Sequence, residues 1–140
     1  MASPVYERQF IRFAESAIVL ETRALEEFTL VVVDTAVVSE PSFIKEAIGA
    51  GEVMGVLQQT IPAVDPDKAT TLPRLGTVAT SGLLLVKSGP NTQSKGDALK
   101  IDANGMSDST GGAVTCNGTT PIVRSRLSQG GVEMALVSFS

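Results

Sequence analysis

Ser42 and Lys45, spaced Ser-x-x-Lys, are arranged like a nucleophile and its base. On a helix that spacing sets the lysine amine one turn from the hydroxyl, as in serine acyl-enzymes, and Lys87-Ser88-Gly89 imitates their Lys-Thr-Gly strand. No Ser-Asp-Asn element accompanies them, and 140 residues is far short of those enzymes. The simpler reading, adopted here, makes Ser42 the cap of a short helix with Lys45 in solvent. Asp97, Asp102, Asn104 and Asp108 gather oxygen donors around Gly105. A calcium loop needs donors at fixed offsets and a closing bidentate carboxylate. Here the glycine stands at the wrong offset and no Glu closes the loop, so the segment is a hairpin turn. Gly49-x-Gly51-x-x-x-Gly55 and Gly111-Gly112 lack the strand-to-helix order and the lysine of a phosphate loop. The chain has no His and one Cys, Cys116, which excludes Ser-His-Asp, Cys-His and His-zinc chemistry and any internal disulfide. The expectation is a protein that is not an enzyme, with no catalytic residues, no cofactor and no metal.

Charge points the same way. Eleven basic side chains face fifteen acidic ones, a net of −4. Residues 1–70 hold 5 basic and 11 acidic side chains; residues 71–140 hold 6 and 4. An acidic chain without a basic stripe is a poor binder of nucleic acid or of an anionic membrane. Arg124 and Arg126 alternate along one segment and suit either an acidic partner or a solvated strand edge; the second reading is preferred. Met1-Ala2-Ser3-Pro4 lacks the basic start of a secretory signal, and Phe10–Leu20 is interrupted by Arg12 and Glu15. No stretch approaches the ~18 apolar residues of a membrane helix.

The elements that would position these residues are mostly strands. Ser3-Pro4 could cap a helix carrying Tyr6, Phe10, Phe13, Ala14 and Ala17 on one face, yet Tyr6, Arg8, Phe10 and Arg12 also alternate as a strand does. Helix and extended arm therefore stay open for this segment. Thr29–Val33 predicts a strand continuing from Leu25, Ser42–Ile48 a short helix ended by Gly49 and Gly51, and Glu52–Thr60 a strand. Short β segments follow at 77–80, 83–87, 98–102, 113–116, 122–127 and 132–139. Asn104-Gly105 is the strongest hairpin signal, and Gly130-Gly131 separates the last two segments. Such spacing predicts a mainly β fold: a small β-barrel or β-sandwich with an N-terminal arm or short helix and one further short helix.

Four of the six aromatics, Tyr6, Phe10, Phe13 and Phe28, stand in the first 28 residues. That concentration suggests a leading segment, residues 1–33, which packs against its own β body (residues 34–140) or against a neighbouring subunit. Phe10 and Phe13 would be its apolar anchors, with Arg8 and Arg12 their polar complement.

Three stretches together resemble one family. Ile48-Gly-Ala-Gly-Glu-Val-Met-Gly-Val-Leu57 is similar to a strand entry of phage head-decoration proteins. Gly96-Asp-Ala-Leu-Lys-Ile-Asp-Ala-Asn-Gly105 resembles the hairpin of bacteriophage capsid cement proteins. Ile122–Leu127, followed by Gly130-Gly131-Val-Glu-Met-Ala-Leu-Val-Ser-Phe139, looks like their final strand pair. Val123-Arg-Ser-Arg126 departs from the family's usual pattern there, and residues 1–47 have no counterpart in it. The resemblance implies a structural virion protein on the outer surface of the mature capsid, made in the host cytoplasm. It further implies the major capsid protein as partner, a homotrimer, and capsid stabilisation by bridging shell subunits. Another phage structural module (tail-tube, head-completion or fibre-associated) is the alternative.

Overall fold

The computed structural model of the protein describes residues 9–19, 24–33, 43–46, 51–63, 74–129 and 131–140. Within them the chain is mainly β, and no described residue is helical. The strands are β1 (Phe10–Val19), β2 (Leu30–Val33), β3 (Phe43–Glu46), β4 (Gly51–Val53) and β5 (Gly55–Leu57), then β6 (Arg74–Lys87), β7 (Lys100–Ile101), β8 (Gly112–Cys116), β9 (Ile122–Gln129) and β10 (Val132–Phe139). A seven-stranded sheet runs β1-β3-β2-β5-β6-β10-β9, with β1 pairing β6 as well, and a three-stranded sheet runs β4-β8-β7. The sheets are not closed barrels, which corrects the barrel form of the expectation.

Two further expectations change. The short helix over Ser42–Ile48 is not formed: Phe43–Glu46 is a strand, parallel to β1 (Ile18↔Phe43) and antiparallel to β2 (Val32↔Lys45). A helix of seven residues is marginal in water, whereas a strand carrying Phe43 and Ile44 gains a ladder on both edges. The leading segment, left open between helix and arm, is a strand from Phe10 to Val19. It pairs antiparallel with β6 from Phe10↔Leu83 to Val19↔Arg74.

β6 is the organising element. The alternation predicts two segments broken near Gly82; the structure joins them into one fourteen-residue strand that turns a corner there. The nine residue steps of a straight strand from Val78 to Lys87 would span about 30 Å. Yet Leu57 pairs with Val78, the Phe28 N–H donates to the Leu57 carbonyl at 2.7 Å, and the Lys87 N–H donates to the Phe28 carbonyl at 2.7 Å. Three strand spacings, about 15 Å, therefore separate the two ends. Gly82 sits at the bend with φ 127°. Ala79 on one side of the bend and Leu84 and Val86 on the other all enter the same cluster, although their positions differ in parity, so the strand exchanges its faces at the corner.

The largest cluster lies between the two sheets. It joins Val53, Leu99, Ile101, Val114 and Cys116 from the small sheet and its loops to Leu30, Val56, Leu84, Val86, Val123, Val137 and Phe139 from the large one. A second cluster unites Ala17, Val19, Leu25, Val31, Leu57, Ile61 and Val78 beneath the trailing end of β1. Phe28, Leu85 and Met134 form a third, with Leu127 and Leu136 against it. The closing strand β10 thus buries both faces: Ala135, Val137 and Phe139 enter the first cluster and Met134 the third.

Candidate functional site

β1 changes character along its length. Ala17 and Val19 are buried, but every residue from Phe10 to Ser16 is exposed. Phe10 is 63% exposed, Phe13 64% and Ile11 41%. On the inner side this half is held by β6. One extra residue at Arg12 shifts the ladder, and one at Thr80 shifts it back, so the register is the same on both sides of the irregularity. On the outer side β3 reaches only Ile18 and Val19, which leaves residues 10–17 without a strand neighbour among the described residues. Such an edge presents unpaired N–H and C=O groups to whatever strand approaches it.

Two features fix β1 in this position. A Cβ on Gly82 would lie 2.1 Å from the Phe10 carbonyl oxygen and 2.9 Å from the Arg12 nitrogen, so only glycine lets the strand approach. Gln9, just before the strand, accepts the Leu85 N–H at 2.9 Å and donates to the Gln58 Oε1 at 2.8 Å. Its side chain thereby satisfies a backbone donor of β6 that β1 does not reach.

The other terminal strand is treated differently. β9 is the far edge of the large sheet; its first residues are covered by 96–99 through the Val123 N–H to Asp97 carbonyl bond and the Leu99 N–H to Pro121 carbonyl bond. Beyond that cover stand Arg124 and Arg126, both exposed, with Arg126 Nη1 donating to Thr92 Oγ1 at 3.2 Å. Charges of this kind discourage strand addition. β1 instead offers aromatic rings.

Of the expected contact residues, Phe10, Arg12 and Phe13 come together on this edge, and Tyr6 and Arg8 lie outside the described residues. Phe28 does not join them: it is 9% exposed and packs in the third cluster, at φ 60°, as the hydrogen-bonded link between β5 and β6. Its place is a core position. Ile11, Gln9 and Gly82 belong to the edge without having been singled out from sequence. A glycine interrupting a strand pattern was the available signal for Gly82.

The remaining candidates resolve into turns and packing. Asp102 Oδ1 accepts the N–H groups of Asn104 and Met106, and Asp108 Oδ1 accepts the N–H and hydroxyl of Thr110. Each carboxylate thus closes its own turn. Those Thr110 bonds, side chain first, hold the Asp108 carboxyl below its ordinary range. Asp97 accepts the Ser94 N–H at 2.9 Å, and no cluster of three metal-type ligands occurs among the described residues. Lys45 lies on a strand rather than a helix, so the one-turn spacing of an acyl-enzyme pair is not provided there; Ser42 lies outside the described residues. Cys116 is fully buried; burial, and secondly the charge of Glu52, push its thiol up to about 11. That environment makes it unreactive. Compared with protein-family models, with curated proteins and with solved structures, the chain shows no match to any of them.

Proposed function

We propose that this protein is a structural component of a phage virion, a decoration protein that binds the outside of the mature capsid through contacts centred on the β1 edge. The observation that carries the reading is that edge, without a strand neighbour over residues 10–17 among the described residues and lined by Phe10, Ile11 and Phe13. The three sequence stretches that resemble cement proteins support it: two of them form the turn at Asp102–Met106 and the β9–β10 pair. The mechanism is thermodynamic. A protein that contacts several shell subunits at once binds only the assembled lattice and stabilises it by mass action. Several weak contacts acting together gain avidity without a single strong one. Backbone pairing along β1 supplies affinity, and the aromatic side chains supply selectivity.

The test is co-sedimentation of the purified protein with expanded, undecorated heads and with unexpanded precursor shells. Saturable binding to expanded heads alone is the expected result. Binding to neither, together with ring or filament formation by the free protein, would replace this reading with the tail-tube alternative.

A further inference from the structure

We propose that Asn117 is a site of spontaneous modification: its side-chain amide cyclises onto Gly118 and hydrolyses, and the acidic product unties the β8 turn from β6. The inference does not depend on what the protein binds.

An asparagine followed by glycine favours this chemistry, because no side chain crowds the attacking nitrogen. The Gly118 amide gives its proton to hydroxide and attacks the Asn117 Cγ. The N–Cγ bond forms, the Cγ–Nδ2 bond breaks, and the nitrogen leaves as ammonia with a proton from water. Water then opens the succinimide at Cγ to give aspartate, or at the backbone carbonyl to give isoaspartate. One water is consumed and one ammonia released, so no other reagent is needed.

The fold selects among three asparagines. Asn91 precedes Thr92, whose branched side chain crowds its nitrogen. Asn104 precedes Gly105, which is buried and donates its N–H to the Asp102 carbonyl at 3.2 Å. The Gly105 carbonyl also accepts the Leu30 N–H at 2.9 Å, and a Cβ there would lie 2.7 Å from the Leu30 oxygen. Ring closure at Asn104 must therefore pull its turn away from β2. At Asn117 both residues of the turn are exposed, and a Cβ on Gly118 would meet nothing within 4 Å. The peptide unit that must rotate, from the Asn117 carbonyl to the Gly118 nitrogen, makes no hydrogen bond among the described residues. Cys116 and Thr119 close the turn beneath it.

The consequence follows from what the amide touches. Asn117 Nδ2 donates to the Thr80 carbonyl at 3.2 Å and to the Ser140 carbonyl at 3.4 Å. Both neighbours only accept, so an aspartate in the same place has no proton to offer either of them. Two long hydrogen bonds become contacts between oxygens. Thr80 is also where the β1–β6 ladder returns to register, and its hydroxyl donates to the Phe13 carbonyl at 3.4 Å. The lost tie therefore lies on the segment that holds β1.

Peptide mass mapping after prolonged incubation of the folded chain at mildly alkaline pH tests this. Trypsin leaves both Asn-Gly pairs in one peptide, Ile101–Arg124, so fragmentation within it locates the product. Conversion at Asn117 should be many-fold faster than at Asn104, with isoaspartate among the products. In urea the two sites should react at similar rates, because only the fold distinguishes them. Asn117→Asp, which is one of the products, should melt several degrees below wild type. Equal conversion at the two sites in the folded chain, or conversion at Asn117 in urea only, would overturn the proposal. An Asn117→Asp chain that melts with wild type would overturn the untying.

Discussion

Gly82 shows how much of this fold hangs on one missing methyl group. Its positive φ and the 2.1 Å approach of the Phe10 carbonyl leave no room for Cβ. Gly82→Ala should therefore cost about 2–4 kcal/mol in urea unfolding, with the loss of protection in amide exchange concentrated on residues 10–14. Gln9→Ala tests the neighbouring support. It strands the Leu85 N–H, so a loss of about 1–2 kcal/mol is expected, with faster exchange at Leu85. Two titrations extend the residue scale. The Cys116 thiol, near 11 in the folded chain against an ordinary 9.0, is harder to ionise folded than unfolded. Its contribution is whole below pH 9 and is lost as pH rises from 9 to 11, an expected fall of about 2 kcal/mol that Cys116→Ala should remove. Asp108 has the opposite sign. Its carboxyl is depressed below 3.8, so its contribution is present above that pH and is lost as pH falls through the lower folded value. Acid unfolding of Asp108→Asn should be correspondingly less steep. None of these four residues does chemistry on a substrate in this account; each holds a strand or a turn in place.

At the scale of elements, the strands from β8 onwards were legible in the sequence almost to the residue. The segments 113–116, 122–127 and 132–139 match β8, β9 and β10 closely, because hydrophobic alternation and glycine turns act locally there. Asn104-Gly105 does close a hairpin, with Gly105 at φ 72° and its N–H on the Asp102 carbonyl. The same dipeptide at Asn117-Gly118 forms the tighter two-residue turn: both residues have positive φ, and Cys116 and Thr119 exchange their backbone bonds. What stayed illegible depends on distant partners. Phe43–Glu46 is a strand because β1 and β2 flank it, β6 is continuous because β1 and β10 cover its two edges at Gly82, and neither fact is written in the local pattern. Of the residues expected to make contact, Phe10, Arg12 and Phe13 share the β1 edge, whereas Phe28 is near them only in sequence, and φ 60° and burial commit it to the core.

For the whole molecule, two sheets share one apolar cluster, and among the described residues exposed rings gather on β1, with Leu75 and Val132 exposed elsewhere. The far edge, β9, is guarded by Arg124 and Arg126, while β1 shows its rings to solvent. That contrast between edges is what the proposed contact through β1 requires. The proposed contact through the β1 edge is checked by binding of wild type, Phe13→Lys and Val132→Lys to expanded heads at equal protein concentration. Val132 is 41% exposed, comparable to Ile11 but away from the edge. Saturable binding by wild type and Val132→Lys is expected, with a many-fold weaker isotherm for Phe13→Lys. Equal binding by all three proteins, or binding by none, would contradict it.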